Sequence, residues 1–406
     1  MFKVPKKNIL GILLIVCIIF FFSITFAFNF IIPTGDQQYV YLAQSFIQGK
    51  LHFINIPPGG RDVIFYNGQA LWPLAPLPAV LLIPFTWLFG LFGKFFYQGY
   101  LQFFVTIGVF YFAKSIAQMI GYKKDDSLFL AFAFTFASVF QATAFVTWSW
   151  YLVQALCVFF ILVAIYEYQS RKRSWVIGGL FALVLLTRPI AAMGFSFFIA
   201  DLLFKRKFQA SSLIKKTGLL VLPLLFGLFL SFGYNYLRFG SVYESGYSKA
   251  KEQVLGITSE YRQVSPKLFD VKNFRNNFYY YFLKTPTLIP SKLTGQTKDL
   301  LFNVGFPGVS FFIVSPLFLY IFKTDLKKRI VKLSLIPIFL TLCVLLSYYW
   351  PGWRQVGPRY LLDILPFMYI LLLFAFRRFR LSNSSKVLIL GSSLFNLLLF
   401  FNAFND

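Results

Sequence analysis

The chain has 406 residues, of which 58% are hydrophobic and only 13% charged, where a soluble domain carries roughly 25%. So few charges exclude a self-solvating globule, and lipid must cover much of the surface. The net charge of +25 falls in short clusters between apolar runs, the pattern of loops facing anionic lipid and not of a nucleic-acid footprint. Uninterrupted Phe/Leu/Ile runs also exclude a membrane barrel, whose strands alternate polar and apolar residues.

The first run, 8–32, follows Lys3, Lys6 and Lys7. No small-residue cleavage site follows it, so it reads as a retained signal anchor. Further apolar runs lie near 72–92, 97–120, 127–147, 150–168, 174–204, 217–236, 304–322, 330–349, 361–376 and 386–404. They predict an all-α polytopic membrane protein, one transmembrane domain over 1–406 with about 11–12 helices, each near the span length of roughly 20 residues.

Basic clusters at Lys3/Lys6/Lys7, Arg171–Arg173, Lys205–Lys207 with Lys215/Lys216, Lys323–Arg329 and Arg377–Arg380 mark cytoplasmic loops. The N-terminus is then cytoplasmic. Residues 33–71, 237–303 and 350–360 form outer loops. Run 174–204 is broken by Arg188-Pro189 and reads as a hairpin with Arg188 at its tip. Run 267–289 reads as an amphipathic helix on the membrane. One conflict stands: with Lys123 and Lys124 inside, the crossings between 72 and 170 are one too many. Either 72–92 does not cross or that loop faces outward. Cys17, Cys157 and Cys343 lie in apolar runs and His52 is the single histidine, so no disulfide framework and no histidine-based metal site is expected.

The outer loops hold the unusual polar residues. Thr34 or Gly35 can start a helix that Gly49 ends, with Tyr39, Val40, Leu42, Ala43, Phe46 and Ile47 on one face. Asp36 then sits in its first turn, either favouring the helix dipole or serving as a general base. The stretch from Arg61 through Asp62 and Tyr66 to Pro78 reads as an extended pre-helix loop or as a substrate contact. Arg354 and Arg359 lie among aromatics at 348–360. They are either snorkelling cations in an aromatic belt or a phosphate clamp, which Arg188 can join.

Gly35-Asp36-x-x-Tyr39, the run Arg61…Tyr66…Gly68…Pro73…Pro76, Thr187-Arg188-Pro189, Asn235 to Ser241 with Gly246-Tyr247, and Trp350 through Gly357-Pro358-Arg359-Tyr360 to Phe367 together resemble the GT-C superfamily of membrane glycosyltransferases. The likeness is to prokaryotic members grouped with protein mannosyltransferases and aminoarabinose transferases, over residues 8 to 376. The resemblance implies a GT-C-like helical bundle in a prokaryotic plasma membrane, with surface helices in the first outer loop. It implies a polyprenyl-phosphate-linked sugar donor, an acceptor that is a glycan, lipid or protein, and no cofactor. The family's catalytic acid falls on Asp36. Gln37 stands where many relatives carry Glu, so the paired-carboxylate metal motif is absent. Arg354, Arg359 and Arg188 are then expected at the donor phosphate, and Tyr39, Arg61, Asp62 and Tyr66 at the substrate. A transporter or lipid flippase without transferase activity is the rival reading, and a non-catalytic membrane scaffold a third.

Overall fold

A computed structural model describes residues 6–32, 35–204, 210–250, 267–288, 302–376 and 379–404. The helices, in chain order, are α1 (Lys6–Phe26), α2 (Gln38–Ile47), α3 (Leu77–Leu91), α4 (Gln98–Ile120), α5 (Lys124–Phe136), α6 (Phe140–Phe145), α7 (Ser149–Gln169), α8 (Ser174–Thr187), α9 (Ser196–Leu203), α10 (Ala210–Phe239), α11 (Phe274–Phe282), α12 (Phe311–Val314), α13 (Arg329–Ser347), α14 (Leu365–Ala375) and α15 (Asn383–Ala403). Two small antiparallel hairpins interrupt them, β1 (Ile64–Tyr66) with β2 (Gln69–Leu71), and β3 (Thr287–Leu288) with β4 (Phe302–Asn303).

Among the described residues six helices are long and apolar enough to cross a membrane: α1, α4, α7, α10, α13 and α15. The other apolar runs are built from shorter pieces, and the polytopic helical fold holds. The chain divides into two compact units, residues 27–105 with 146–268, and residues 1–26 with 106–145 and 269–406. The helix α4 runs through both.

In the first unit α7 is the buried helix, and α8 packs against it. Gly178 lets α8 approach α10 so closely that a Cβ there would stand 2.2 Å from the Leu220 carbonyl oxygen, and Gly227 meets Ala182 in the same way. Because Gly178 pairs with Leu220 and Ala182 with Gly227, α8 and α10 run in the same direction. The chain between them must therefore return, as the break at Arg188-Pro189 predicts. On its other side α10 exposes Leu222, Phe226 and Phe229, an apolar stripe that lipid can cover.

The helix α3 resolves the conflict left by the charge pattern. Trp72, before it, packs on Trp150 at 5.9 Å, and Gln98, after it, donates to the Thr147 carbonyl at 2.6 Å. Both flanks of α3 thus sit at the start of α7. With 15 residues α3 is only about 22 Å long, and the chain before and after it returns to the same place. Run 72–92 therefore makes no net crossing.

In the second unit Phe21 of α1 inserts between Phe132, Phe136 and Phe145 at centroid distances of 5.6, 5.3 and 6.3 Å. Lys386 of α15 closes on the Asp126 carboxylate at 2.6 Å, which also accepts from the Leu381 N–H. Run 127–147 is split at Ser138, whose hydroxyl accepts from the Phe140 N–H, a local bond that competes with helix. Run 304–322 is likewise not one helix. It holds α12 and a 3-10 turn over Pro316–Lys323, because Pro316 supplies no N–H to continue α12. Run 361–376 starts as a 3-10 turn, Arg359–Asp363, before Pro366 opens α14.

Run 267–289 shortens to α11, nine residues. Its Asn277 Nδ2 donates to the carbonyls of Leu346 and Tyr348 at 2.9 and 2.7 Å. These bonds tether it to the end of α13, where helix carbonyls lack partners. Much of loop 237–303, and Pro33, Thr34, Lys205–Lys207, Arg377 and Arg378, lie outside the described residues.

Two predictions follow from this packing and topology. Gly178→Leu should lower the thermal midpoint of the purified protein, by an overpacking cost of about 1–3 kcal/mol, whereas Gly179→Leu, facing open space, should not. In a variant lacking the three native cysteines, Trp353→Cys and Phe65→Cys, both exposed, should react with an impermeant maleimide on intact cells. Lys172→Cys, at the exposed turn between α7 and α8, should react only after permeabilisation. The reverse labelling would invert the topology.

Candidate active site at the start of α2

The site is built around the main chain of Asp36. Its carbonyl oxygen accepts from the Ser149 N–H at 3.1 Å and from Gln98 Nε2 at 2.9 Å, with the Ser149 hydroxyl at 3.2 Å. Gln98 Nε2 also donates to the Thr147 carbonyl at 2.6 Å, and the Gln98 N–H to Gln37 Oε1 at 2.9 Å. The Ser149 hydroxyl has one proton, shared between the Asp36 carbonyl and Gln98 Oε1 at 3.2 Å, and it accepts from the Tyr39 N–H at 3.4 Å. All of these groups are buried. The opening turns of α2, α4 and α7 are thus fastened to one another by uncharged polar groups.

The helix α2 begins at Gln38, with Gln37 as its cap residue and no side-chain cap. Asp36 therefore lies ahead of the first turn, whereas the sequence reading puts it within that turn, and it does not cap the helix. Its carboxylate pairs elsewhere. Oδ2 lies 3.1 Å from Arg61 Nη1, and Oδ1 accepts from Gln38 Nε2 at 3.4 Å. The Asp36 side chain is 9% exposed and that of Arg61 42%, so a buried anion meets a cation open to water. The Arg61 guanidinium also lies over the Trp148 ring, 5.8 Å from its centroid.

Arg61 is delivered by a loop whose geometry the sequence encodes. Gly59 and Gly60 take left-handed backbone (φ 78° and 54°), and Asn67-Gly68 turns the hairpin with φ 49° and 74°. Asn-Gly with both φ positive is the favoured two-residue hairpin turn. The expectation of an extended loop here missed that signal. Ile64 and Leu71 of the hairpin pack on Phe239 at the end of α10. Gly246, with φ 95°, lets the chain pass where a Cβ would stand 2.8 Å from Ile64 Cδ1.

Arg238 fastens the far side of the hairpin. It is 7% exposed, donates to the Trp72 carbonyl at 2.6 Å and to Asn235 Oδ1 at 3.1 Å, and lies over the Tyr234 ring at 3.8 Å. Trp72, fully buried, meets Tyr39 edge-on at 5.9 Å. Tyr39 is itself fully buried, which pushes its phenol well above the ordinary range. Tyr66 is half-buried between Phe239 and the Lys249 ammonium, 4.4 Å from its ring centroid. Asp62 is exposed, with φ 56°.

The expected site residues thus divide. Asp36, Tyr39, Arg61, Asp62 and Tyr66 belong to the first unit, and the structure joins Asp36 to Arg61. Arg188, also there, is half-buried at the break after α8, with φ −153°. Arg354 and Arg359 belong to the second unit. Arg359 is buried and lies over Tyr360 at 5.6 Å, and Arg354, with φ 43°, lies over Trp353 at 5.8 Å. Their loop is held by the Val309 N–H donating to the Val356 carbonyl at 2.8 Å. Gln98, Ser149, Trp148 and Arg238 were not singled out from the sequence as site residues. Gln98 and Gln102, one helical turn apart in an apolar run, were the available signal, since an amide in such a run needs a partner.

No family model and no curated protein matches the sequence. Among solved structures the chain is similar to the crystal structure of the Archaeoglobus fulgidus oligosaccharyltransferase in the apo form, with a TM-score of 0.45 and 11% identity over 99% of this chain. The chain spans 57% of the length of that protein.

Gln98→Leu removes a donor from two buried carbonyls while keeping the helix apolar. It should cost roughly 1–3 kcal/mol for the partner left unmet, read as a lower thermal midpoint in nanodiscs. A midpoint equal to that of the parent would show that this network does not fasten α4 to α7.

Proposed function

We propose that this protein is a membrane glycosyltransferase that moves a monosaccharide from a polyprenyl-phosphate donor to a hydroxyl-bearing acceptor at the outer membrane face. The observation that carries this reading is the buried Asp36 carboxylate, fixed between the first membrane helix and α2 by its own main chain and by Arg61. The sequence resemblance along residues 8 to 376 supports the choice of reaction.

In the proposed step the acceptor oxygen attacks the anomeric carbon as the bond from that carbon to the phosphate oxygen breaks. The acceptor proton passes to Asp36, and the electron pair leaves with the lipid phosphate. A single displacement inverts the anomeric centre. A general base is useful only if held within hydrogen-bond reach of the acceptor, and the network on the Asp36 carbonyl fixes its backbone. Arg61 orients the carboxylate. Arg354, Arg359 and Arg188 are proposed to stabilise the leaving phosphate, as guanidinium groups do bidentately. Asp62 and Tyr66, on the hairpin arm that carries Arg61, are proposed to contact the sugar, and Tyr39 to hold α2 in register from within the core.

Purified protein incubated with a series of polyprenyl-phosphate sugars tests this. Asp36→Asn should cut transfer by about 10²–10⁴ while donor binding and the thermal midpoint stay near those of the parent. Asp62→Asn should lose far less than Asp36→Asn, because it weakens a sugar contact and keeps the base. Full turnover by the Asp36 variant would remove the general base from this position, and a chain that binds donor yet transfers no sugar to any acceptor would favour a transporter.

A further inference from the structure

A cavity of about 350 Å³ opens between α2 and α3, on the opposite face of α2 from the Asp36 carbonyl network. Its chemistry is distinctive. Tyr41 and Trp87 present aromatic faces, and Gln44, Gln48 and Asn55 present amides. Among its lining residues none is charged. Thr86 also lines it. Its Oγ1 is buried and has no hydrogen-bond partner among the described residues, although a helical threonine ordinarily bonds the carbonyl one turn back. Gln44 is half-buried and Gln48 and Asn55 are exposed, whereas Ser45, beside them, is buried and fully used. Its hydroxyl donates to the Tyr41 carbonyl and accepts from the Ile54 N–H, both at 3.1 Å, which pins the 54–55 wall to α2.

We infer that this cavity binds an uncharged saccharide, the sugar portion of the acceptor. A phosphate or carboxylate would find no cation among the lining residues, and an alkyl chain would cover the half-buried Gln44 amide without meeting it. A pyranose offers apolar C–H faces to the aromatic rings and hydroxyls that both donate and accept, as amides require. Tyr41 lies one turn into α2, and Asp36 stands just ahead of that helix. The assignment of this sugar to the acceptor rests on the transferase reading above; the binding of a neutral sugar does not. The same headgroup chemistry can arrive as a free glycan or as a glycolipid.

The test uses the full chain in phospholipid nanodiscs without sugar-based detergent. Maltotriose, mannotriose and chitotriose are titrated and followed by saturation-transfer NMR, and a glycolipid with the matching headgroup is then added to the disc as competitor. At least one trisaccharide, or the glycolipid alone, should bind saturably with a Kd below about 10 mM. Trp87→Ala should weaken it by about tenfold or more. Thr86→Val gives opposite signs: the empty protein should melt higher because a buried unmet hydroxyl is removed, while sugar affinity falls severalfold. Displacement of the soluble sugar by glycolipid identifies a lipid-borne acceptor, and its persistence a free glycan. No saccharide or glycolipid binding, or binding indifferent to both Trp87→Ala and Thr86→Val, overturns the site. Saccharide binding that persists in a parent chain that transfers no sugar from any polyprenyl-phosphate donor would keep the site and remove the transferase reading instead.

Discussion

A carbonyl freed by a broken helix has no water to turn to in apolar surroundings, so it must be met from within the protein. This chain breaks its apolar runs often and meets the freed carbonyls with side-chain amides. Gln98 covers Asp36 and Thr147, Gln102 covers Val146, Gln141 covers Phe136, Asn277 covers the end of α13, and Asn396 covers Val314. An amide suits this task because it carries two donors and no charge. Each bond also ties a break to a neighbouring segment, so the irregular stretches become fixed points of the fold.

The candidate base gains its position from this constraint. Asp36 lies in a linker, where a backbone is ordinarily mobile. Three donors on its carbonyl make it part of the α4 and α7 starts. The carboxylate is then oriented by Gln38 and by Arg61, the latter from a hairpin itself held by Phe239 and Arg238. A half-exposed ion pair adds little stability by itself. Its value here is geometric, because it sets the direction of a carboxylate whose backbone is already fixed.

The two faces of α2 do different work. One carries Tyr39 into the Trp72 cluster, and the other, with Gln44 and Gln48, faces the cavity beside α3. Since α3 does not cross, it lies against α2 and supplies Thr86 and Trp87. A helix apolar enough to be taken for a span thus becomes the wall of a pocket.

The sequence by itself determined that this is a helical membrane protein, where its long helices run, that the chain breaks at Arg188-Pro189, and that α2 follows the first helix with Tyr39 and Leu42 inward. These follow from local quantities: run length, periodicity, proline chemistry and glycine at Gly49. Even the β1–β2 hairpin was legible in Asn67-Gly68. Only the tertiary structure decided that the chain returns after α3, since its composition equals that of a crossing helix and only the contacts of Trp72 and Gln98 bring the residues on either side of it together. Tertiary structure alone also paired Asp36 with Arg61, 25 residues away, and joined Gln98 and Ser149 on one carbonyl. Hydrogen bonds between residues distant in the chain leave no periodic trace in it. Their partners are chosen by how the helices pack, and packing depends on the whole of both surfaces.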